Sequence, residues 1–346
     1  MLPIVSICTP TFNRIHFIGP LIEMIRCQDY PKDRMEWLIA DDGTDSIEDK
    51  IKEVDFVKVK YFKLDKQETL GYKRNFLNKQ CSGDFIIYFD DDDYYPVQRI
   101  SHGVSILNKH PEYKIAGSSK MHIYYHHINK IYQCGPYAQN HATAATFIFK
   151  KELLEQTSFH EESLVGEEKH FLKNYTIPLL QLDSLKTILV IAHSHNSFDK
   201  RKLLEDVNQY KMLETNYSLS DFIKSDKNLA TNNDTNSIVM FYQQELHTLL
   251  ANYLQGSIQF KPKVHSYIQE VEKVRNERET TIHHYKKATQ LSHDSATIKE
   301  YEDKLRNKTC LIQKLIKELK ETREELALTK EKLNAILSNT TLDKTT

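Results

Sequence analysis

Short apolar segments alternate with amphipathic segments over the first 110 residues. Segments rich in β-branched and aromatic residues predict strands at residues 4–8, 36–40, 56–64 and 84–89. Helical spacing of apolar residues predicts helices at residues 17–28, 71–80 and 97–110. Strands that alternate with helices are typical of a parallel, doubly wound α/β sheet, which binds ligands beyond the carboxyl ends of its strands.

The pattern loosens after residue 112. The sequence predicts antiparallel strands at residues 114–127 and 130–137. It predicts a strand leading to a helix at 142–154, a short helix at 166–175 and a further strand at 184–196. The polar stretch 225–237 predicts a linker, and residues 237–255 an amphipathic helix. We therefore expect one α/β domain at residues 1–200 and a helical region with a polar linker at 201–287.

The tail, residues 288–346, has a different pattern. An aliphatic residue recurs at every seventh position: Leu291, Ile298, Leu305, Ile312, Leu319, Leu326 and Leu333. Charged residues fill most positions between them, which predicts a coiled coil and a possible homo-oligomer. The second seam is weaker, because Thr309, Arg323 and Lys330 interrupt it.

Composition narrows the function classes. The 346 residues carry a formal net charge of −1, which gives no general attraction to nucleic acid or membranes. Five scattered cysteines without a CxxC motif indicate reduced thiols. The N-terminus lacks a signal-peptide pattern and no apolar run approaches the roughly 20 residues of a membrane span. We expect a soluble, cytoplasmic protein.

Four consecutive aspartates follow the fourth predicted strand in the sequence IIYFDDDDYYP, residues 86–96. Adjacent carboxylates repel each other, and aspartate is a poor strand former. Acids that begin where a buried strand ends suit a divalent cation at the edge of the sheet, although an acidic loop is the plainer alternative.

The ordered set VSICTPTFNR, EWLIADDGT and LGYKRNFLNKQCSGDFIIYFDDDDYYP resembles the nucleotide-sugar domain of inverting family 2 glycosyltransferases, which have the GT-A fold. The resemblance covers about residues 3–200. It implies that the aspartates are a DxD motif that holds Mn²⁺ or Mg²⁺ against the donor diphosphate. Asp92 is the best direct ligand, Asp90 and Asp91 contact the donor or the metal, and Asp93 is structural.

The resemblance also assigns donor-binding residues. Asp42 matches the position that hydrogen-bonds the nucleobase, with a turn aspartate as the alternative. Residues from Thr9 to Phe12 would line the base and ribose. Arg14 and Arg74 are candidate contacts to base or phosphate, with surface ion pairs as the alternative.

Two further assignments follow from the resemblance. Glu168, with Glu167 beside it, falls at the position of the base that deprotonates the acceptor hydroxyl; two acids at a helix start are the alternative. His193, or less well His195, would complete a metal site, and a mixed oxygen and nitrogen ligand set favours Mn²⁺.

The expected function is metal-dependent, inverting transfer of one sugar from a nucleotide sugar, with UDP-sugar preferred, to a hydroxyl of a glycan, protein or lipid. The alternatives are a nucleotidyltransferase and a non-catalytic coiled-coil adaptor with a degenerate transferase head. The QxxRW signature of processive synthases is absent from the sequence, which favours single-sugar transfer.

Overall fold

The structure is a computed structural model that describes residues 2–205, 207, 210–224, 238–291 and 295–342. The chain forms two compact units, Met1–Glu270 and Val271–Thr346. The linker predicted at residues 225–237 lies outside the described residues. The domain boundaries predicted at residues 200 and 287 stay predictions.

Eleven strands are described in the first unit: β1 (Val5–Thr11), β2 (Met35–Asp41), β3 (Lys58–Lys63), β4 (Phe85–Tyr88), β5 (Ile115–Gly117), β6 (Met121–Tyr125), β7 (Lys130–Cys134), β8 (Ile148–Lys150), β9 (Leu180–Gln181), β10 (Leu189–Ala192) and β11 (Met212–Glu214). The larger sheet has the order β3-β2-β1-β4-β8-β5-β9. Its first four strands are parallel, and β8 pairs antiparallel with β4. This parallel-rich sheet confirms the predicted α/β fold.

The described α-helices are α1 (Ile15–Arg26), α2 (Glu48–Lys52), α3 (Leu70–Gln80), α4 (Arg99–Lys109), α5 (Glu168–Phe171), α6 (Leu219–Lys224), α7 (Leu246–Asn252), α8 (Pro262–Leu291) and α9 (Ser295–Leu342). A π-helical turn at Phe241–Glu245 precedes α7, where the sequence predicted one continuous helix.

Apolar cores cover both faces of the larger sheet, because successive side chains of a strand point to opposite faces. Val5 and Ile7 of β1 pack with Ile18 of α1 on one face. Cys8 packs with Leu77 of α3 on the other. All these side chains are fully buried. The central strands β1 and β4 are therefore fixed, and the loops that follow them hold their positions.

A smaller sheet of order β10-β6-β7-β11 lies in the same unit. β6 and β7 pair antiparallel, as the sequence predicted. β10 pairs parallel with β6, and an isolated bridge joins Tyr94 to Leu189. This bridge brings the start of β10 to the loop that carries the four aspartates.

The second unit contains the end of α8 and the 48-residue helix α9. Leu305, Ile312 and Leu326 of the aliphatic stripe are about 60% exposed on α9. The coiled coil itself stays a prediction. Across the described residues, no helix combines the length and apolar character needed to cross a membrane.

Candidate active site

A cleft lies beyond the carboxyl ends of β1 and β4, where a parallel sheet is expected to bind ligands. We call it the acidic cleft. It encloses about 810 Å³ and is lined by Pro10, Thr11, Phe12, Arg14, Asp42, Gln67, Glu68, Thr69, Leu70, Lys73, Asp90, Asp91, Asp92, Leu164, Ser197, Lys261, Lys263 and Val264. The cleft therefore brings together residues that lie up to about 250 positions apart in the sequence.

The four aspartates after β4 point in two directions. Asp90, Asp91 and Asp92 line the acidic cleft. Asp93 is buried, and its Oδ1 accepts a hydrogen bond from the backbone N–H of Ile191 at 2.9 Å. Asp93 thus joins the aspartate loop to β10, which agrees with the structural role predicted for it.

Arg14 faces the aspartates from the start of α1. Its Nε lies 3.5 Å from Oδ1 of Asp91 and its Nη2 lies 3.7 Å from Oδ2 of Asp92. The guanidinium also donates to the carbonyl oxygens of Gly256, at 2.7 Å, and His195, at 2.8 Å. Burial raises the pKa of Asp91 to about 7, although the charge of Arg14 acts against this rise. The cluster therefore holds less negative charge at neutral pH than its sequence suggests.

Asp92 has a histidine partner. Nε2 of His193 lies 3.1 Å from Oδ2 of Asp92, and its Nδ1 accepts the backbone N–H of His195 at 3.1 Å. Nδ1 thus faces a donor, whereas Nε2 faces both Oδ2 of Asp92 and Nδ2 of Asn196, which lies 2.8 Å away. Burial lowers the pKa of His193 to about 4, so the ring is neutral. Burial would raise the pKa of Asp92, but His193 and Arg14 hold it well below its usual range.

The aspartates after β4 offer oxygen ligands for a divalent cation. The buried Oδ1 of Asp90 has no hydrogen-bond partner, and carboxylate oxygens are the ligands that Mn²⁺ and Mg²⁺ accept. No group of three acidic, histidine or cysteine side chains is arranged around a metal position within the described ranges. The aspartates therefore fit a cation that takes its remaining ligands from a bound diphosphate. Ligation of a metal by His193 stays a prediction.

Asp42 lies at the far side of the acidic cleft. Its Oδ1 accepts from Nζ of Lys73 at 2.7 Å, and its Oδ2 accepts from the N–H of Glu68 at 2.8 Å. Asp42 and Phe12 both line the cleft, but the Asp42 side chain is only 1% exposed. Thr9 does not reach the cleft: it is fully buried in β1, and its hydroxyl binds Phe89 and Trp37.

Arg74 joins the aspartates to the predicted base region. It is buried, and its Nε donates to Oε1 of Glu167 at 2.8 Å while its Nη2 donates to Oδ2 of Asp90 at 3.0 Å. Its guanidinium lies 4.4 Å from the ring of Tyr88. Burial acts to lower the pKa of Arg74, but the two carboxylates raise it further above its usual range. Arg74 thus holds two site acids in place and does not line the acidic cleft.

Glu168 is the partly buried first residue of α5. Burial and the neighbouring charge of Glu167 raise the pKa of Glu168 to about 7. Glu167 is committed to Arg74, whereas among the described residues the Glu168 carboxylate pairs with no cation and accepts only from its own backbone N–H. This difference favours Glu168 over Glu167 as the group that exchanges a proton.

Residues of the helical region complete the acidic cleft, and the sequence analysis missed them. Lys261 lies 5.5 Å from the ring of Phe12 and 3.5 Å from Oγ of Ser197. Burial and the charges of Arg14 and Lys73 lower the pKa of Lys261 to about 7. Its sequence context, QFKPKVH, is an ordinary basic stretch, so no local signal marks it.

Two close contacts hold this segment in place. The Nδ2 of Asn13 donates to the carbonyl oxygen of Gln255 at 2.8 Å, next to the contact of Arg14 with Gly256. A Cβ at Gly256 would lie 2.7 Å from the backbone oxygen of Asn13. Glycine is therefore required for the segment to approach the site this closely.

Residues 6–156 match the family model described as Glycosyl transferase family 2. This segment is a family 2 glycosyltransferase domain. It contains the cleft residues from Thr11 to the four aspartates, and the resemblance found from the sequence is confirmed. The GT-A type of sheet is consistent with this assignment. Glu167, Glu168, His193 and Lys261 lie outside the matched segment.

The family 2 domain is also similar to individual proteins. The chain is 28% identical over 109 residues to the poly(ribitol-phosphate) beta-N-acetylglucosaminyltransferase TarS of Staphylococcus aureus strains Mu50 and MW2, covering 30% of this chain and 19% of TarS. The match thus spans about a fifth of the length of these curated relatives.

Two solved structures are similar at low identity. Residues 1–349 of S. aureus TarS in complex with UDP-GlcNAc give a TM-score of 0.46 at 16% identity, covering 75% of this chain and 76% of that chain. The mannosyltransferase PcManGT from Pyrobaculum calidifontis, in complex with GDP-Man and Mn²⁺, gives 0.48 at 14% identity, covering 85% and 82%.

Proposed function

We propose that the family 2 domain transfers one sugar from a nucleoside diphosphate sugar, with UDP as the nucleotide, to a hydroxyl group of an acceptor. The arrangement of the acidic cleft is the observation that carries the proposal. Three aspartates face the same space as the basic side chains of Arg14 and Lys261, beside Asp42 and Phe12. Both signs of charge are needed to hold a diphosphate next to carboxylates.

The nucleoside would lie at the Asp42 side of the acidic cleft. A carboxylate accepts the imide N–H of uracil, and Asp42, whose oxygens also accept from Lys73 and Glu68, lines this space. The ring of Phe12 offers an apolar surface for the base or ribose.

The donor diphosphate would lie against the aspartates and the Arg14 side chain that pairs with Asp91 and Asp92. Asp92 and Asp90 would hold Mn²⁺ or Mg²⁺, with Asp91 toward the donor and His193 fixing the carboxylate of Asp92. When bound, the cation would neutralise charge on the leaving diphosphate. Arg14 and Lys261 would stabilise the same charge.

Transfer needs a base for the acceptor. The carboxylate of Glu168 would take the hydroxyl proton while the acceptor oxygen forms a bond to the anomeric carbon. The bond between that carbon and the diphosphate oxygen breaks, and the electron pair leaves with UDP. Attack from the face opposite to the leaving group inverts the anomeric centre.

The acceptor is a hydroxyl of a glycan, protein or lipid. The curated relative TarS is a poly(ribitol-phosphate) N-acetylglucosaminyltransferase, so UDP-N-acetylglucosamine is the first donor to test. A homo-oligomer formed through α9 would be compatible with the exposed aliphatic stripe of that helix.

A donor screen tests the proposal. UDP or GDP release is measured from a panel of sugar nucleotides with Mn²⁺, with Mg²⁺ and with chelator. We expect one UDP-sugar to be turned over and chelator to stop the reaction. Release of pyrophosphate from nucleoside triphosphates, with no turnover of any sugar nucleotide, would favour a nucleotidyltransferase and contradict the proposal.

A further inference from the structure

A second cleft lies beside α5, and we call it the lysine cleft. It encloses about 1190 Å³ and is lined by Gln156, Thr157, Ser158, His160, Ser163, Val165, Gly166, Lys169, His170, Lys173, Asn174 and Tyr267. Nothing in the donor site described above uses these residues. The lining contains two lysines, two histidines and no carboxylate.

Two chain segments border both clefts. Leu164 lines the acidic cleft, whereas the adjacent residues Ser163 and Val165 line the lysine cleft. In α8, Val264 lines the acidic cleft, and Tyr267, nearly one helical turn later, lines the lysine cleft. The two clefts are therefore neighbours that share a wall along these segments.

The predicted base follows this wall in sequence. Glu168 lies between Gly166 and Lys169, which both line the lysine cleft, but Glu168 itself lines neither cleft. Glu167, next to it, is tied through Arg74 to Asp90 of the acidic cleft. A hydroxyl bound at the border of the two clefts would thus lie between the donor site and the segment that carries the base.

The charge of the lysine cleft is uncompensated. Neither Lys169 nor Lys173 forms an ion pair with any carboxylate that the structure describes. His170 binds the carbonyl oxygen of Ser158, and its ring lies 5.5 Å from that of His160. Exposed lysines without acidic partners on a concave surface attract anions.

An unusual backbone turn shapes this surface. Lys173, Asn174 and Tyr175 have φ values of 48°, 57° and 63°, three consecutive left-handed residues of which none is glycine. Such conformations are disfavoured for L-residues and cluster at functional sites. Here the turn places Lys173 and Asn174 on the cleft, while Tyr175 is close enough to Glu168 for its charge to raise the pKa of the phenol, in addition to burial.

We propose that the lysine cleft binds the acceptor, and that the acceptor is a polyol or glycan that carries phosphodiester groups close to the reacting hydroxyl. The lysines would bind the phosphate charge, the hydroxyl and amide side chains of the lining would bind acceptor hydroxyls, and the Tyr267 ring would pack on the carbon skeleton. This inference rests on the proposed function, because it names the acceptor class for the same transfer.

The test uses the full chain and a synthetic ribitol phosphate trimer as the probe, with free ribitol as its neutral counterpart. Lys169→Ala/Lys173→Ala is compared with Lys58→Ala/Lys109→Ala, which removes the same charge from exposed positions on β3 and α4. Calorimetry measures trimer binding, and UDP release without acceptor measures the donor site.

We expect the trimer to bind the wild-type protein and the Lys58/Lys109 control equally, and the Lys169/Lys173 variant at least tenfold more weakly. Acceptor-free UDP release should be the same in all three proteins, and the KM for the trimer should rise only in the cleft variant. Equal trimer affinity in all three, an equal loss in the control variant, or binding of ribitol as tight as that of the trimer would each overturn the inference.

The two proposals can fail separately. If trimer binding is lost only in the cleft variant and no sugar nucleotide is turned over by any of the proteins, the anion-binding cleft stands and the proposed transfer is wrong. If UDP is released but the trimer does not bind, the transfer stands and the acceptor class is wrong.

Discussion

Glu168→Gln provides the sharpest test of the catalytic assignment. The substitution keeps the size of the side chain but removes the carboxylate that would accept the acceptor proton. Loss of a general base lowers turnover by roughly 10²–10⁴-fold. Donor binding should hardly change, because Glu168 does not line the acidic cleft.

The pH dependence of kcat/KM provides a second quantitative test of the role of Glu168. The pKa of Glu168 is raised to about 7, and the base acts in its deprotonated form. The deprotonated fraction is then about one tenth at pH 6 and about nine tenths at pH 8, so kcat/KM in the wild-type protein should rise about tenfold between these values. In Glu168→Gln the part of this rise that comes from Glu168 should disappear, which leaves the titration of Asp91 and Lys261 in the acidic cleft.

Glu167→Gln is the matched control. Glu167 accepts from the buried Arg74, and removing one partner of a buried ion pair costs about 3–5 kcal/mol. Because Asp90 still faces Arg74, we expect a loss near or below the lower end of that range, seen as a shift of the urea midpoint. Normal turnover and an unchanged pH profile in Glu168→Gln would refute the assignment, as would an inactive Glu167→Gln of unchanged stability.

Three further predictions concern the donor site and the tail. Asp92→Asn should abolish metal-dependent UDP release while circular dichroism shows an intact fold, and unchanged Mn²⁺ titrations in both Asp92→Asn and Asp90→Asn would contradict the ligand assignment. Lys261→Met should raise the KM for the sugar nucleotide about tenfold, which corresponds to about 1.4 kcal/mol. Lys263 also lines the cleft but is exposed, so Lys263→Met should raise the KM less, and equal effects of the two substitutions would contradict a special role of Lys261. Removing residues 271–346 should leave UDP release largely intact and convert an oligomer into a monomer, and sedimentation of both proteins as monomers would rule out self-association.

Periodicity predicted the larger part of the fold because it reports on burial. β1, β2 and β4 are buried along their whole length, and apolar runs such as WLIA and FIIY make up most of β2 and β4. The cluster of four aspartates could be recognised because it directly follows the apolar residues of a buried strand. The antiparallel pairing of β8 with β4 could not be predicted in this way. The residue pattern of a three-residue strand does not indicate whether the strand pairs parallel or antiparallel.

The roles of single site residues were less accessible. Thr9 is a polar residue that its sequence places at the end of a strand, next to the ligand. In the structure it lies inside a central strand, where its hydroxyl forms hydrogen bonds with Phe89 and Trp37. Arg74 resembles a phosphate contact in sequence and is an internal ion-pair partner in the structure. Lys261 reaches the site only through tertiary contacts, and no local pattern encodes a contact between positions so far apart.

The contacts of Asn13 with Gln255 and of Arg14 with Gly256 each join residues 242 positions apart. Chains are synthesised at roughly 5–20 residues per second, so about 12–50 seconds separate the translation of the two sides of this junction. The sheet that carries the aspartates can form during that interval, but Arg14 lacks its carbonyl partner and Lys261 is absent. A ribosome-bound chain is therefore expected to have weaker donor affinity until this late closure, which adds a slow, high-contact-order step to its maturation.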